Sequence, residues 1–222
     1  MPYKIQKFVT NELGTNCYIA YDDNGDAVMV DPGGRADLLL KFLRDKNLNL
    51  RVILNTHAHI DHIASNATVK EATGAIIGVN PIEAFLLGDA TANGADYFGW
   101  PYTEHEADFA LNDGDFVGYG HMKFKVVHTP GHSPGHVCLV DAENMVIFAG
   151  DLVFKGSIGR WDLPGGDRET LMVSLHKFLK FPDGATVYPG HGDITTVAVE
   201  KRTNPYLLDL LETVAAEDPS GH

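Results

Sequence analysis

The sequence predicts an α/β protein, a four-layer αββα sandwich with two mixed β-sheets, forming a single domain over residues 1–222 that ends in a short C-terminal helix. Three observations lead there. Strand-like runs rich in β-branched and aromatic residues alternate with stretches of helical spacing. They fall into two blocks of similar element order, which suggests two sheets packed face to face with helices outside. A chain of 222 residues that is 44% hydrophobic has the material for one sizeable core.

The first third reads as a meander. "YKIQKFV", "TNCYIAY" and "DAVMVD" are short and separated by turn residues, with the Asn-Gly hairpin signal in "DDNGD" at 22–26. From Ala36 the spacing turns helical, placing Leu38, Leu39, Phe42 and Leu43 on one face, and "RVILNTH" returns to strand. A helix from about His62 to Glu71 and a strand "AIIGV" come next. Asn80-Pro81 suits the start of a third helix, because proline is tolerated at a first helical position. Residues 88–104, "GDATANGADYFGWPYTE", show no period. Their Tyr97, Phe98, Trp100 and Tyr102 suit either a lid over a site or a surface loop pinned by its own side chains. The second block supplies "FVGYG", "MKFKVVH", "HVCLVD" and "MVIFAGD", then a helix from Arg168 to Leu179 capped by Asp167. A strand "ATVYPGH" and the terminal helix "NPYLLDLLETVAAE" complete the chain.

Net charge narrows the partners. At −13, with a pI near 5.1, the long-range field repels phosphate backbones and anionic lipid surfaces, so neither nucleic acid nor membrane is expected as a partner. Cys17 and Cys138 lie far apart and outside any CxxC pattern, which reads as two buried small hydrophobes in a reducing compartment. The first residues lack an apolar core of signal-peptide length and no run of some twenty apolar residues occurs, so a cytoplasmic location is expected.

The chemistry gathers at strand ends. "VILNTHAHIDH", "FKVVHTPGH", "MVIFAGD" and "ATVYPGH" are apolar runs, each followed within a few residues by His or Asp, and such loops are where a rigid scaffold presents reactive groups. They deliver His57, His59, Asp61, His62, His132, Asp151 and His191. Neutral imidazole and carboxylate suit divalent ions such as zinc, and catalytic sites keep a position open for water. His57, His59, Asp61 and His62 are too close in sequence to surround one ion without straining the loop, so two ions are expected. His57 and His59 would share one with His132, Asp61 and His62 the other with His191, and Asp151 would bridge them. Asp61 and Asp151 are thus the expected catalytic carboxylates, and two divalent ions the expected cofactors, zinc first with iron or manganese also compatible. Asp31, ending "VMVD", suits either of two roles: accepting the outer N–H of a metal-bound imidazole, or capping the turn before the Ala36 helix. His105, His121, His128, His136, His176 and His222 read as ordinary histidines, though His136 in "GHSPGH" is near enough to support the ligands from outside.

These residues also carry a resemblance. "THAHIDH", "TPGHSPGH", "FAGD" and "YPGH" resemble, in order and spacing, the metal-binding motifs of the metallo-β-lactamase-fold hydrolases over nearly the whole chain. The likeness implies the same sandwich and the same partition of ligands. Within that superfamily, "GSIGRWDLPGG" and "GHGDITTVAVEKRTNPYL" look like the short bacterial type II glyoxalase group, the hydroxyacylglutathione hydrolase-like proteins. Full-length type II glyoxalases carry a C-terminal helical domain whose basic residues hold the glutathione carboxylates, whereas about one helix follows Pro205 here. Arg160 supplies the basic residue expected after the "GSIG" turn, and Asp162 replaces the tyrosine usual two positions later. Arg160 suits a substrate carboxylate or a surface salt bridge to Asp162.

What the likeness implies is metal-assisted hydrolysis of a small-molecule thioester such as S-D-lactoylglutathione. Two ions would lower the pKa of a bound water from its bulk value to about 7. A thiolate, with a parent pKa of about 8.5, leaves without a general acid. The alternative on the same fold is an iron-dependent persulfide dioxygenase, kept by the likeness of "GRWDL" and needing only His57, His132 and Asp151. Hydrolysis of another ester or a lactone is a further alternative, although lactonases of this fold commonly carry a tyrosine where this chain has Phe154.

Overall fold

The computed structural model describes residues 3–217, and within them the strands form two six-stranded sheets and a small hairpin. The first sheet begins with the expected meander: β1 (Lys4–Val9), β2 (Asn16–Tyr21) and β3 (Asp26–Val30) pair antiparallel. Its turn is built as the sequence predicts, with Asp22 Oδ1 accepting the backbone N–H groups of Asn24 and Asp26 and Gly25 at φ 85°. Helix α1 (Ala36–Asp45) then carries the chain back so that β4 (Asn49–Leu54) lies parallel to β3. Leu39 and Leu43 are its buried positions, with Leu38 and Phe42 half-buried.

Next come two short helices, α2 (Ile60–Ile63) and α3 (Asn66–Thr73), where one helix was expected from His62 to Glu71. The break has a specific cause. The carbonyl of Asp61 accepts from Asn11 Nδ2 at 3.0 Å, and the N–H of Ser65 goes to Pro32 O at 2.8 Å, so no helical ladder runs between those residues. Strand β5 (Ile76–Val79) follows, parallel to β4. The helix expected at Asn80-Pro81 is instead a turn: Asn80 Oδ1 accepts from Ile82 N, and only Ala84–Gly88 forms a 3₁₀ turn. The aromatic loop contains α4 (Ala95–Phe98) and is pinned by its own side chains. Phe98 packs against Trp100 in a tilted arrangement with ring centroids 5.4 Å apart, and the Tyr102 hydroxyl donates to Leu87 O. The two-residue strand β6 (Phe109–Ala110) ends this sheet, in the order β1-β2-β3-β4-β5-β6.

The second sheet comprises β7 (Phe116–Tyr119), β8 (Met122–His128), β9 (Val137–Asp141), β10 (Val146–Gly150), β13 (Thr186–Pro189) and β14 (Thr195–Thr196). Between β10 and β13 the chain makes the hairpin β11 (Val153–Phe154) and β12 (Ser157–Ile158), then α5 (Arg168–Phe178), capped by Asp167 accepting from Thr170 N. Because of this crossover β10 and β13 are parallel, while the other pairs in the sheet are antiparallel; both sheets are therefore mixed. Helix α6 (Val197–Thr203), not expected from the sequence, precedes the terminal α7 (Pro205–Glu217).

Strand alternation assigns the layers. Tyr18, Val28, Val30 and Leu54 from one sheet meet Phe124, Val126, Leu139 and Phe148 from the other in the central layer. Their sequence neighbours point outward: Ile19, Met29 and Ile53 pack with Leu39, Ile63 and Val69, while Cys138, Ile147 and Val187 pack with Leu171, Phe178 and Leu207. Helices thus cover both outer faces, giving the expected αββα order. Cys17 and Cys138 are free and buried in different outer layers. Among the described residues no helix is long and apolar enough to cross a membrane.

Candidate metal centre

Strands β3, β4, β8, β10 and β13 end on the same side of the sandwich, and the loops that follow them converge. The parallel pair β10–β13 sets Asp151 beside His191, because Gly190 N donates to Gly150 O at 2.7 Å. Gly190 is required by close approach: a Cβ there would clash with Asp151 Oδ1 and stand 2.8 Å from His62 Cε1. The first sheet joins at this point through the bridge between Thr15 and His191.

All seven residues expected as metal ligands are brought together. His57, His59 and His132 form one group, His57, His62 and Asp151 a second, and Asp61, His62 and His191 a third, the ligand atoms of each lying within 4.8 Å of one another. His59 Nδ1 stands 3.0 Å from His132 Nε2, and Asp61 Oδ2 3.3 Å from His191 Nε2. Asp151 lies between the groups, with Oδ2 3.6 Å from His132 Nε2 and 3.5 Å from His191 Nε2, and Oδ1 3.5 Å from His62 Nε2.

The outer ring atoms explain why these nitrogens face inward. Thr56 Oγ1 donates to Asp31 Oδ2 at 2.6 Å, so it accepts from His57 Nδ1 at 3.1 Å. His62 Nδ1 donates to Asp31 Oδ2, His132 Nδ1 to Arg160 O at 2.7 Å, and His191 Nδ1 to Leu13 O at 3.2 Å. Each acceptor places the ring proton on Nδ1 and leaves the Nε2 lone pair directed into the site. Of the two partners open to Asp31, the structure shows the imidazole of His62; the N-cap of α1, Arg35, has no side-chain cap bond.

A divalent cation fits this arrangement. His57 Nε2, His62 Nε2 and Asp151 Oδ1 are buried without a hydrogen-bond partner, a costly condition for polar atoms unless something of opposite character meets them. The electrostatics agree. Burial first, then the neighbouring imidazoles, hold His57 well below the usual histidine range, and burial with His132 lowers His59 to about 4, so both stay neutral and able to ligate. Burial opposes charge on His62 too, but Asp61 and Asp151 outweigh it and raise that ring; burial likewise opposes charge on Asp61, yet His62, His191 and Thr15 hold it well below the carboxylate range. Positive charge is drawn to this point.

Residues 10–191 match the family model described as the metallo-beta-lactamase superfamily. The chain belongs to this superfamily. It is 38% identical over 196 residues to the hydroxyacylglutathione hydrolase GloC of Haemophilus influenzae, covering 86% of this chain and 92% of that protein. Among solved structures it is similar to the B3 metallo-beta-lactamase BLEG-1, with a TM-score of 0.88 and 38% identity over 92% of this chain and 99% of that one. It is also similar to TTHA1623 in a di-iron-bound form, with a TM-score of 0.83 and 37% identity over 91% of this chain and all of that one.

Several residues that hold this superfamily site in place escape a reading of the sequence. Thr15 Oγ1 donates to Asp61 Oδ2 at 2.7 Å, and Asn11 Nδ2 bridges the carbonyls of Gly33 and Asp61; both come from the loop before β2, which carries no motif. The two stretches that look glyoxalase-like prove to touch. Asn204 Nδ2 donates to Ser157 O at 2.9 Å and to Phe154 O at 3.3 Å, and Glu200, fully buried, accepts from Gly156 N and Thr195 Oγ1. They clamp the β11–β12 hairpin, whose continuation places Arg160 O on His132. The Arg160 guanidinium itself is exposed and makes two bonds to Asp162, at 2.7 and 2.8 Å, within electrostatic reach of Tyr97.

Proposed function

We propose that this chain is a binuclear metal-dependent hydrolase that cleaves a small-molecule thioester of the S-D-lactoylglutathione type. The observation that carries the reading is the convergence of unpartnered His57 Nε2, His62 Nε2 and Asp151 Oδ1 on one point ringed by His59, Asp61, His132 and His191. His57, His59 and His132 would hold one ion, Asp61, His62 and His191 the other, with Asp151 shared; zinc is the first choice, with iron and manganese compatible. Two such ions would supply an activated water at neutral pH and a Lewis acid for the acyl oxygen. The protein's own part is orientation: Asp31, Thr56, Arg160 O and Leu13 O fix the ring tautomers, and Thr15 and Asn11 fix Asp61. The main chain of Arg160 holds His132 while its guanidinium lies exposed on Asp162, where a carboxylate of the thiol carrier would compete for it.

The relative named hydroxyacylglutathione hydrolase supports the thioester, and a thiolate leaving group asks for no general acid. The acidic charge supports neither nucleic acid nor anionic membrane as partner, and unpaired thiols suit a cytoplasmic setting. A dioxygenase centre using only His57, His132 and Asp151 would leave Asp61, His62 and His191 without a role, although their ligand atoms lie within 4.8 Å of one another.

The test is hydrolysis of S-D-lactoylglutathione by metal-loaded protein, followed by loss of thioester absorbance, with Asp151→Ala as control. Metal-dependent turnover absent in the control is expected. No turnover, together with oxygen uptake on glutathione persulfide or cleavage of a β-lactam run in parallel, would replace this reading.

A further inference from the structure

Glu83 is fully buried and belongs to none of the ligand groups. Its Oε2 accepts the N–H of Ala58 at 2.7 Å, and its Oε1 accepts the N–H of Gly135, also at 2.7 Å. Ala58 lies between His57 and His59, and Gly135 lies in the loop that carries His132 and His136. One carboxylate therefore spans the two loops whose imidazoles make up the three-histidine group. The approach needs glycine, since a Cβ at residue 135 would stand 2.8 Å from Glu83 Cγ. The turn at Asn80 aims Glu83 inward, with Asn80 Oδ1 taking Ile82 N and Asn80 Nδ2 anchored on Leu111 O.

No ion pair involves Glu83 among the described residues. A buried carboxylate without a cation is expensive, and two backbone N–H bonds offset only part of that cost. The three histidines, in contrast, are neutral ligands that bring no charge to the cation they would hold. A negative group one peptide away, polarising the N–H between two of those ligands, balances it.

We propose that Glu83 is a positioning residue that fixes the spacing of His57 and His59 against His132 and strengthens the hold of the three-histidine group on a bound cation. This rests on the metal-centre reading above. His191→Ala leaves the three-histidine group intact, whereas His59→Ala leaves Asp61, His62 and His191, so cobalt(II) titrations in these two backgrounds separate the groups. Adding Glu83→Gln is expected to weaken cobalt binding by about tenfold or more in the His191→Ala background and to leave the His59→Ala background unchanged. Gly135→Ala, which displaces the carboxylate without altering its charge, is expected to give the same selective loss. Equal affinities with and without Glu83, or an equal fall in both backgrounds that follows a lower Tm of the metal-free protein, would overturn the assignment. Failure of the native chain to bind cobalt would instead remove the metal centre and this role together.

Discussion

The backbone N–H of Asp151 donates to Nε2 of His136 at 3.0 Å. That bond puts the proton of the His136 ring on Nδ1, which meets Thr129 Oγ1 at 2.9 Å, so both nitrogens are engaged. Burial, then the neighbouring imidazoles, hold the ring well below the usual range, and it stays neutral. His136 has no ring nitrogen left for a ligand role; it sets the main chain from which the Asp151 carboxylate projects.

Replacing His136 by alanine strands the Asp151 N–H in the interior. We expect a loss of about 1–3 kcal/mol from the unpaired donor alone, read by urea unfolding. Metal binding should weaken with it, whereas a variant of unchanged stability and metal content would show that the bond is dispensable.

Asp31 combines three bonds, to Thr56 N, Thr56 Oγ1 and His62 Nδ1, with a left-handed backbone at φ 52°. Asn tolerates that conformation and keeps an acceptor but loses the charge. Asp31→Asn should fold and bind the metal about 10–100-fold more weakly, and Asp31→Ala should add backbone strain of about 1–2 kcal/mol. Metal titration alongside chemical unfolding separates the two effects.

A methyl group at residue 190 would press on Asp151 Oδ1 and His62 at once. Gly190→Ala is expected to cut kcat by about 10²-fold, the scale of a 1 Å displacement of reacting groups, with a smaller effect on KM. Steady-state kinetics with retained native circular dichroism would check it.

The Arg160–Asp162 pair is exposed, so its removal should leave Tm unmoved. Asp162→Ala should lower KM for a carboxylate-bearing thioester by freeing the guanidinium, and Arg160→Ala should raise KM more than it lowers kcat. Unchanged KM in both variants would remove the pair from substrate recognition.

Burial holds the Cys17 thiol well above its usual range and raises Cys138 to about 12. Neither is a thiolate at neutral or mildly alkaline pH, so a thiol reagent at pH 8 should label the protein only after denaturation. Rapid labelling of the native protein would contradict the packing of both outer layers.

Much was legible before any coordinates. Alternating strands announced both sheets, and the seven residues that meet at the candidate metal centre could be named because they fall in short polar loops that follow apolar runs. The misreadings share a cause: they lie where a distant group captures the backbone. The helix expected at His62 is cut because Asn11 takes the Asp61 carbonyl, and the one expected at Asn80 is replaced by a turn that sends Glu83 inward. Local propensity carries no record of such long-range bonds.

By itself the sequence determined the layered architecture and which side chains gather at the strand ends, since both follow from short-range periodicity and from residue chemistry. Only the tertiary structure decided which nitrogen of each ring faces the site, and what Asp31, His136, Glu83 and Arg160 each hold. Those outcomes depend on hydrogen bonds such as Thr15 to Asp61 and Asn204 to Ser157, whose partners lie tens of residues apart and meet only when the two sheets pack.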